Sequence, residues 1–231
     1  MAQSLIEDFS PAKCESAAER FLHLSTQISG AEVVTTPVKN TLAELQAKNV
    51  TFKAAVKTRM FAYDLAQLAD SNQDNCIRDT GEACKKYDRD NFGSKVYALV
   101  FPQNTTPVIE TNFFDEPAEI RKAIDRIRSL GPDHQLFTCA AQLDQFATAS
   151  ETAITNFKVA LSKEASCQVE LSIAKFNLIR TYNNTILQAQ QLFGRKNANK
   201  LFPQVRNSSS DDDTNDTNDT IEEPELDKAT A

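Results

Sequence analysis

The chain has 231 residues, of which 41% are hydrophobic and 25% charged, and a formal net charge of −7. That is enough sequence for one or two domains with a real core, in the composition range of folded globular proteins. Five glycines are too few for a turn-rich all-β fold, and no apolar run approaches the ~18 residues that a membrane span needs.

The charge is unevenly placed. From Ser208 on, nine acids stand against Lys228, a net of −8, which leaves the rest of the chain at +1. A body so close to neutral has no basic excess suited to nucleic acid. Met1 to Cys14 has neither a basic start nor an apolar core, so no secretion signal is expected and the chain reads as cytoplasmic. Cys14, Cys76, Cys84, Cys139 and Cys167 have no zinc-ligand spacing and read as reduced thiols packed as small hydrophobes.

Taken in order, Ser10-Pro11 is a helix start, a capping residue followed by Pro at the first helical position. Ala17, Ala18, Phe21, Leu22, Leu24 and Ile28 then predict a first helix ending at Gly30. Thr36-Pro37 repeats the start signal. Leu42, Leu45, Val50, Phe52, Val56, Met60, Phe61, Leu65 and Leu68 mark a second, long helix running to about Phe92. Its weak part is Asp70 to Asn75, whose side chains compete for the backbone.

Residues 93–117 are the least helical part, punctuated by Pro102, Pro107 and Pro117, with a turn signal at Asn104-Thr105-Thr106-Pro107. Apolar Val96, Tyr97, Leu99, Phe101, Phe113 and Phe114 in such a segment are either a cap folded over a bundle end, with a short strand pair, or a partner-binding patch. Glu116-Pro117 opens a short helix through Ile120, Ala123, Ile124, Ile127 and Leu130, stopped by Gly131.

The longest uninterrupted stretch follows. Asp133 to Phe193 spans 61 residues without Gly or Pro, between Gly131-Pro132 and Gly194. Its rows Leu136, Leu143, Phe157, Leu171, Leu178 and Cys139, Phe146, Ala153, Ala160, Cys167, Ala174 lie side by side at steps of three, four and seven. The stripe has the width of a bundle helix rather than of a two-stranded coiled-coil seam. Its phase slips between Lys163 and Gln168, as a bend, a break or a change of packing partner would produce. Unbroken, it would be a rod of roughly 90 Å. Arg195, Lys196 and Lys200 follow, either as cations suited to a helix C-terminus or as a contact for an anionic surface. Residues 207–231 are low in complexity and acidic, and are expected to be a disordered tail beyond a helical domain at 1–206.

One local pattern resembles metal chemistry. Asp70, Asn72 and Asp74 occupy positions 1, 3 and 5 of an EF-hand-like calcium loop at 70–81, with Ile77 at position 8. The bidentate Glu of position 12 is replaced by Gly81, which removes much of the affinity of such a loop. There is no phosphate-binding glycine loop and no nucleophile signature beside His23 or His134, so no cofactor is expected.

Leu65-x-x-Leu68-x-Asp70 with Arg78-Asp79, Val100-Phe101-Pro102, Leu143-x-x-Phe146 to Phe157, and Arg180-x-Tyr182-Asn183 together make the chain, from Phe9 to Phe202, resemble an uncharacterised family of bacterial long-helix bundle proteins. The resemblance implies architecture and no activity. The reading is an all-α, elongated antiparallel bundle with two long helices. Its expected function is non-catalytic: interaction or scaffolding, with a protein partner or as a homodimer. A calcium-responsive module at 70–81 and an enzyme with a spatially assembled site around His134 are the alternatives.

Overall fold

The computed structural model describes residues 3–202, so the acidic tail expected at 207–231 lies outside the described residues. Seven helices and no strand are found among them: α1 (Pro11–Ser25), α2 (Glu32–Asp90), α3 (Val96–Val100), α4 (Thr106–Ile109), α5 (Glu116–Arg128), α6 (Phe137–Phe193) and α7 (Arg195–Leu201). The fold is all-α and elongated, as its two long amphipathic helices require. At 59 and 57 residues, α2 and α6 are each about 85 to 90 Å long.

The stop and start signals act largely as their chemistry dictates. The Ser10 hydroxyl accepts from the Lys13 amide at 3.3 Å and opens α1 with Pro11 at its first position. Gly131 (φ +103°) and Gly194 (φ +76°) take left-handed backbone on either side of α6. Three boundaries differ from expectation. Helix α1 ends at Ser25, before Gly30. Helix α2 begins at Glu32, so Pro37 lies inside it rather than at its start. Pro37 forfeits one ladder bond there, close to the helix end, while the Thr36 hydroxyl donates to the Glu32 carbonyl at 2.8 Å. Helix α6 starts at Phe137, four residues after Asp133.

Both long helices are continuous. Asp70 to Asn75 is fully helical, and so is Lys163 to Gln168. The slip in phase at 163–168 is a change of packing partner, because α6 there passes from the two-helix middle into the terminal core.

Helices α2 and α6 pair antiparallel along their whole length, in a register marked by Lys48–Glu170, Arg59–Glu164 and the Tyr63–Phe157 ring contact at 5.4 Å. Each end of the hairpin carries its own third layer and its own hydrophobic core. At the terminal end, α1, α7 and residues 5–9 close over Val34, Val38, Leu42, Leu45, Leu171, Leu178 and Tyr182. Phe21 stacks on Phe202 at 4.6 Å, and Tyr182 meets both rings edge-on. The Asn183 amide pairs with the backbone of Leu5 in both directions at 2.9 Å, tying the N-terminal segment to α6. At the loop end, residues 93–117 and α5 close over Ile77, Cys84, Leu136, Ala140 and Leu143 through Val96, Val100, Phe101, Ile120, Ile124 and Ile127. Between the ends only two helices remain. Their seam buries Ile154 and the small side chains of Ala55, Ala66 and Ala160, so the bundle-wide stripe expected for α6 narrows here.

Candidate functional site

Residues 93–117 form the cap. The strand pair expected there is replaced by α3 and α4, two short helical turns joined through Asn104 in left-handed backbone (φ +71°). Asp88 organises the entry. Its carboxylate accepts from the Ser94 hydroxyl at 2.6 Å and from the Val96 and Tyr97 amides at 2.8 and 2.9 Å, satisfying the first donors of α3. Burial works against the charge, but these three bonds outweigh it and hold the carboxyl below its ordinary range. Gly81 explains how the segment comes so close. A Cβ at this position would stand 2.8 Å from Thr105 Cγ2, so only Gly lets the cap lie against α2.

The patch reading of this segment is therefore corrected for most of its residues. Val96 and Phe101 are core, Tyr97, Phe113 and Phe114 are half-buried, and Leu99 alone among them is exposed. Phe114 stacks toward Phe157 at 6.5 Å and lies under Lys158, so it carries the cap to the edge of the two-helix middle. Arg195, Lys196 and Lys200 are exposed on α7 itself, a helix that sequence reasoning missed because seven residues carry little periodicity.

The calcium-loop reading is also corrected. Asp70, Asn72 and Asp74 lie on unbroken α2, where residues two apart point to opposite sides. Asn72 is exposed, while Asp70 and Asp74 turn toward the cap. Among the described residues no group of three or more His, Cys, Asp or Glu side chains is placed to hold a metal ion. What these aspartates meet instead is Glu116, at the first turn of α5.

This buried polar junction could not be read from sequence. Glu116 is 1% exposed and Gln73 is wholly buried. The hairpin register places α6 at the same level: two turns on from Tyr63 and two turns back from Phe157 stand Asp70 and Ser150. Buried oxygens of Asp70, Asp74, Glu116 and Ser150, and both polar atoms of Gln73, have no hydrogen-bond partner of ordinary geometry among the described residues. Burial first, then the neighbouring Asp70 carboxyl, pushes Glu116 up to about 9; Gln73 opposes the shift. Asp70 is raised as well, by burial and by the Asp74 charge, against the effect of its contact with Glu116. Two carboxyls in contact at neutral pH share a proton. Asp74 is relieved by Arg78, one turn on, at 3.2 Å.

His134 stands three residues before the start of α6. Its Nδ1 accepts from the Leu136 amide at 3.2 Å, and its ring lies 4.6 Å from Tyr87 at the loop end. Two grooves of the described surface lie elsewhere, along the margins of the two-helix middle. One is lined by Val169, Ile173 and Phe176, the other by Ala62, Leu65, Ala149 and Ala153.

The middle is the surface that sequence reasoning did not single out. Phe61, Leu65 and Leu68 follow one another on the outer side of α2 and are 56%, 62% and 58% exposed. Val169, Ile173 and Phe176 do the same on α6. Their spacing (i, i+4, i+7) is visible in the sequence, but spacing alone does not separate an exposed row from a core row. No helix of the described residues is long and apolar enough to cross a membrane. No family model, no curated protein and no solved structure matches the chain.

Proposed function

We propose that the protein is a non-catalytic helical interaction protein whose two-helix middle is the contact surface, for a protein partner or for a second copy of itself. The observation that carries this reading is the pair of exposed apolar rows, Phe61–Leu65–Leu68 and Val169–Ile173–Phe176, left uncovered on the outer sides of α2 and α6 at the margins of the two-helix middle. Large apolar side chains aligned at helical spacing are costly in water and are characteristic of contact surfaces. Helical rows of this kind are recognised by other helices. The cytoplasm is the proposed location, since Cys14, Cys76, Cys84 and Cys167 are buried in apolar surroundings as free thiols. The resemblance to long-helix bundle proteins belongs to the same proposal and adds architecture only.

Self-association is the form that can be tested without a partner in hand. Light scattering after size exclusion is expected to give twice the 25.6 kDa chain mass, falling to one chain for the variant Leu65→Asp, Ile173→Asp with its helicity retained. A wild-type chain that stays monomeric at high concentration would remove self-association. Unchanged binding of that double variant to an isolated partner would remove the middle as the contact surface.

A further inference from the structure

The charge of the rod is graded along its length. The middle, residues 45–63 of α2 with 152–170 of α6, carries six cations against two anions, a net of +4. Residues 45–63 contain no acid at all. The two anions, Glu164 and Glu170, are engaged with Arg59 and Lys48. That leaves Lys53 and Lys57 on α2 and Lys158 and Lys163 on α6, all exposed and in none of the ion pairs among the described residues, though Lys163 is close enough to Glu170 to act on its charge. The loop end, residues 64–151, has nine cations against fifteen anions, a net of −6. The same chain carries nine acids between Asp211 and Asp227.

We propose that the acidic segment from Asp211 to Asp227 docks on the basic band of the two-helix middle of its own chain, around Lys53, Lys57, Lys158 and Lys163. Charge complementarity and reach both support this. Phe202 is packed against Tyr182, their rings 5.4 Å apart, so the segment leaves the body at that level of α6. From Tyr182 to Lys163 and Lys158 is about 28 to 36 Å along the helix. From Phe202 to Asp211 are nine residues, which span up to about 30 Å when extended. The first acid therefore reaches the band as the basic surface begins. The loop end beyond it repels the segment and limits how far it slides. Arg195, Lys196 and Lys200 lie too near the point of departure to engage many of the nine acids in an extended segment. Such a contact is electrostatic, so it weakens as salt shortens the screening length from about 30 Å at 0.01 M to about 3 Å at 1 M. The docking does not depend on the proposed function: of the two apolar rows, only Phe61 and Val169 lie within the basic band.

Zero-length carbodiimide cross-linking of the full chain tests this, using a mixture of isotopically light and heavy protein mapped by mass spectrometry. Expected are amide links from Lys53, Lys57, Lys158 or Lys163 to Asp211–Asp227, light to light and heavy to heavy, lost at high salt. Changing the nine acids to Asn and Gln is expected to speed acetylation of those four lysines and to leave Lys39 and Lys86 unchanged. Links confined to Lys196 and Lys200, links between light and heavy chains, or acetylation rates that ignore the tail charge would each overturn the proposal. The apolar surface can still bind its partner in any of those cases, so failure here is distinguishable from failure of the proposed function.

Discussion

Glu116 is a carboxyl that the fold keeps protonated. Its ordinary value of 4.5 is raised to about 9, so between these limits the folded chain holds a proton that the unfolded chain gives up. Stability therefore falls as pH rises through that window, by up to about 1.4 kcal/mol per pH unit for one proton. The contribution is fully present only below the ordinary value. Urea titrations from pH 5 to pH 9 are expected to show this decline in the wild type and a flatter profile for Glu116→Gln, whose amide can donate to Asp70 at any pH. A slope that survives the substitution would assign the proton to another group. Asp88 behaves in the opposite sense. Its folded value is lowered, so its contribution is present above the ordinary carboxylate range and is lost as pH falls through the folded value. Asp88→Ala leaves the Val96 and Tyr97 amides without their acceptor and is expected to cost about 1 to 3 kcal/mol in a denaturation measurement, less in acid than at neutral pH.

At the scale of elements, the sequence was most legible where a single residue sets the backbone. Ser10-Pro11, Gly131 and Gly194 mark their boundaries because capping, fixed φ and left-handed backbone are local properties. The long helices were legible from periodicity, but the periodic pattern does not say how many neighbours a helix has. Leu65 and Ile173 recur at helical spacing as buried Leu42 and Leu178 do, and only the side of the helix that the packing leaves uncovered makes them surface. Gly81 was misread for a related reason. In sequence it falls at the end of a calcium-loop pattern; in the fold it is the gap into which Thr105 fits. Asp70, Asp74 and Glu116 are 46 residues apart at their widest and become neighbours only when the cap docks. Gly81→Leu is expected to displace that cap, as overpacking of a close contact costs about 1 to 3 kcal/mol. Hydrogen exchange should then quicken across residues 93–117 while α1 stays as protected as before.

The whole molecule is two small cores joined by two helices. The terminal core holds Phe21, Leu178, Tyr182 and Phe202; the loop core holds Ile77, Ile120, Ile124 and Leu143. Among the described residues no buried cluster bridges them, and the middle between them buries Ile154 and a few alanines. Burial of apolar area is what resists opening, so resistance should be high at both ends and lowest in the middle. The helices themselves carry the coupling, since a helix broken in the middle loses its continuous hydrogen-bond ladder for little gain in entropy at the ends. Small-angle scattering should give a maximum dimension near 90 Å, the length of one unbroken helix. Leu178→Ala and Ile124→Ala remove comparable side chains from the two cores, at about 2 to 5 kcal/mol each. If the ends are separate cooperative units, each substitution lowers exchange protection in its own core and in the middle, and leaves the opposite core at its wild-type level. If the rod unfolds as one unit, both substitutions lower protection equally everywhere, and the two-core description fails as an account of stability while standing as an account of packing.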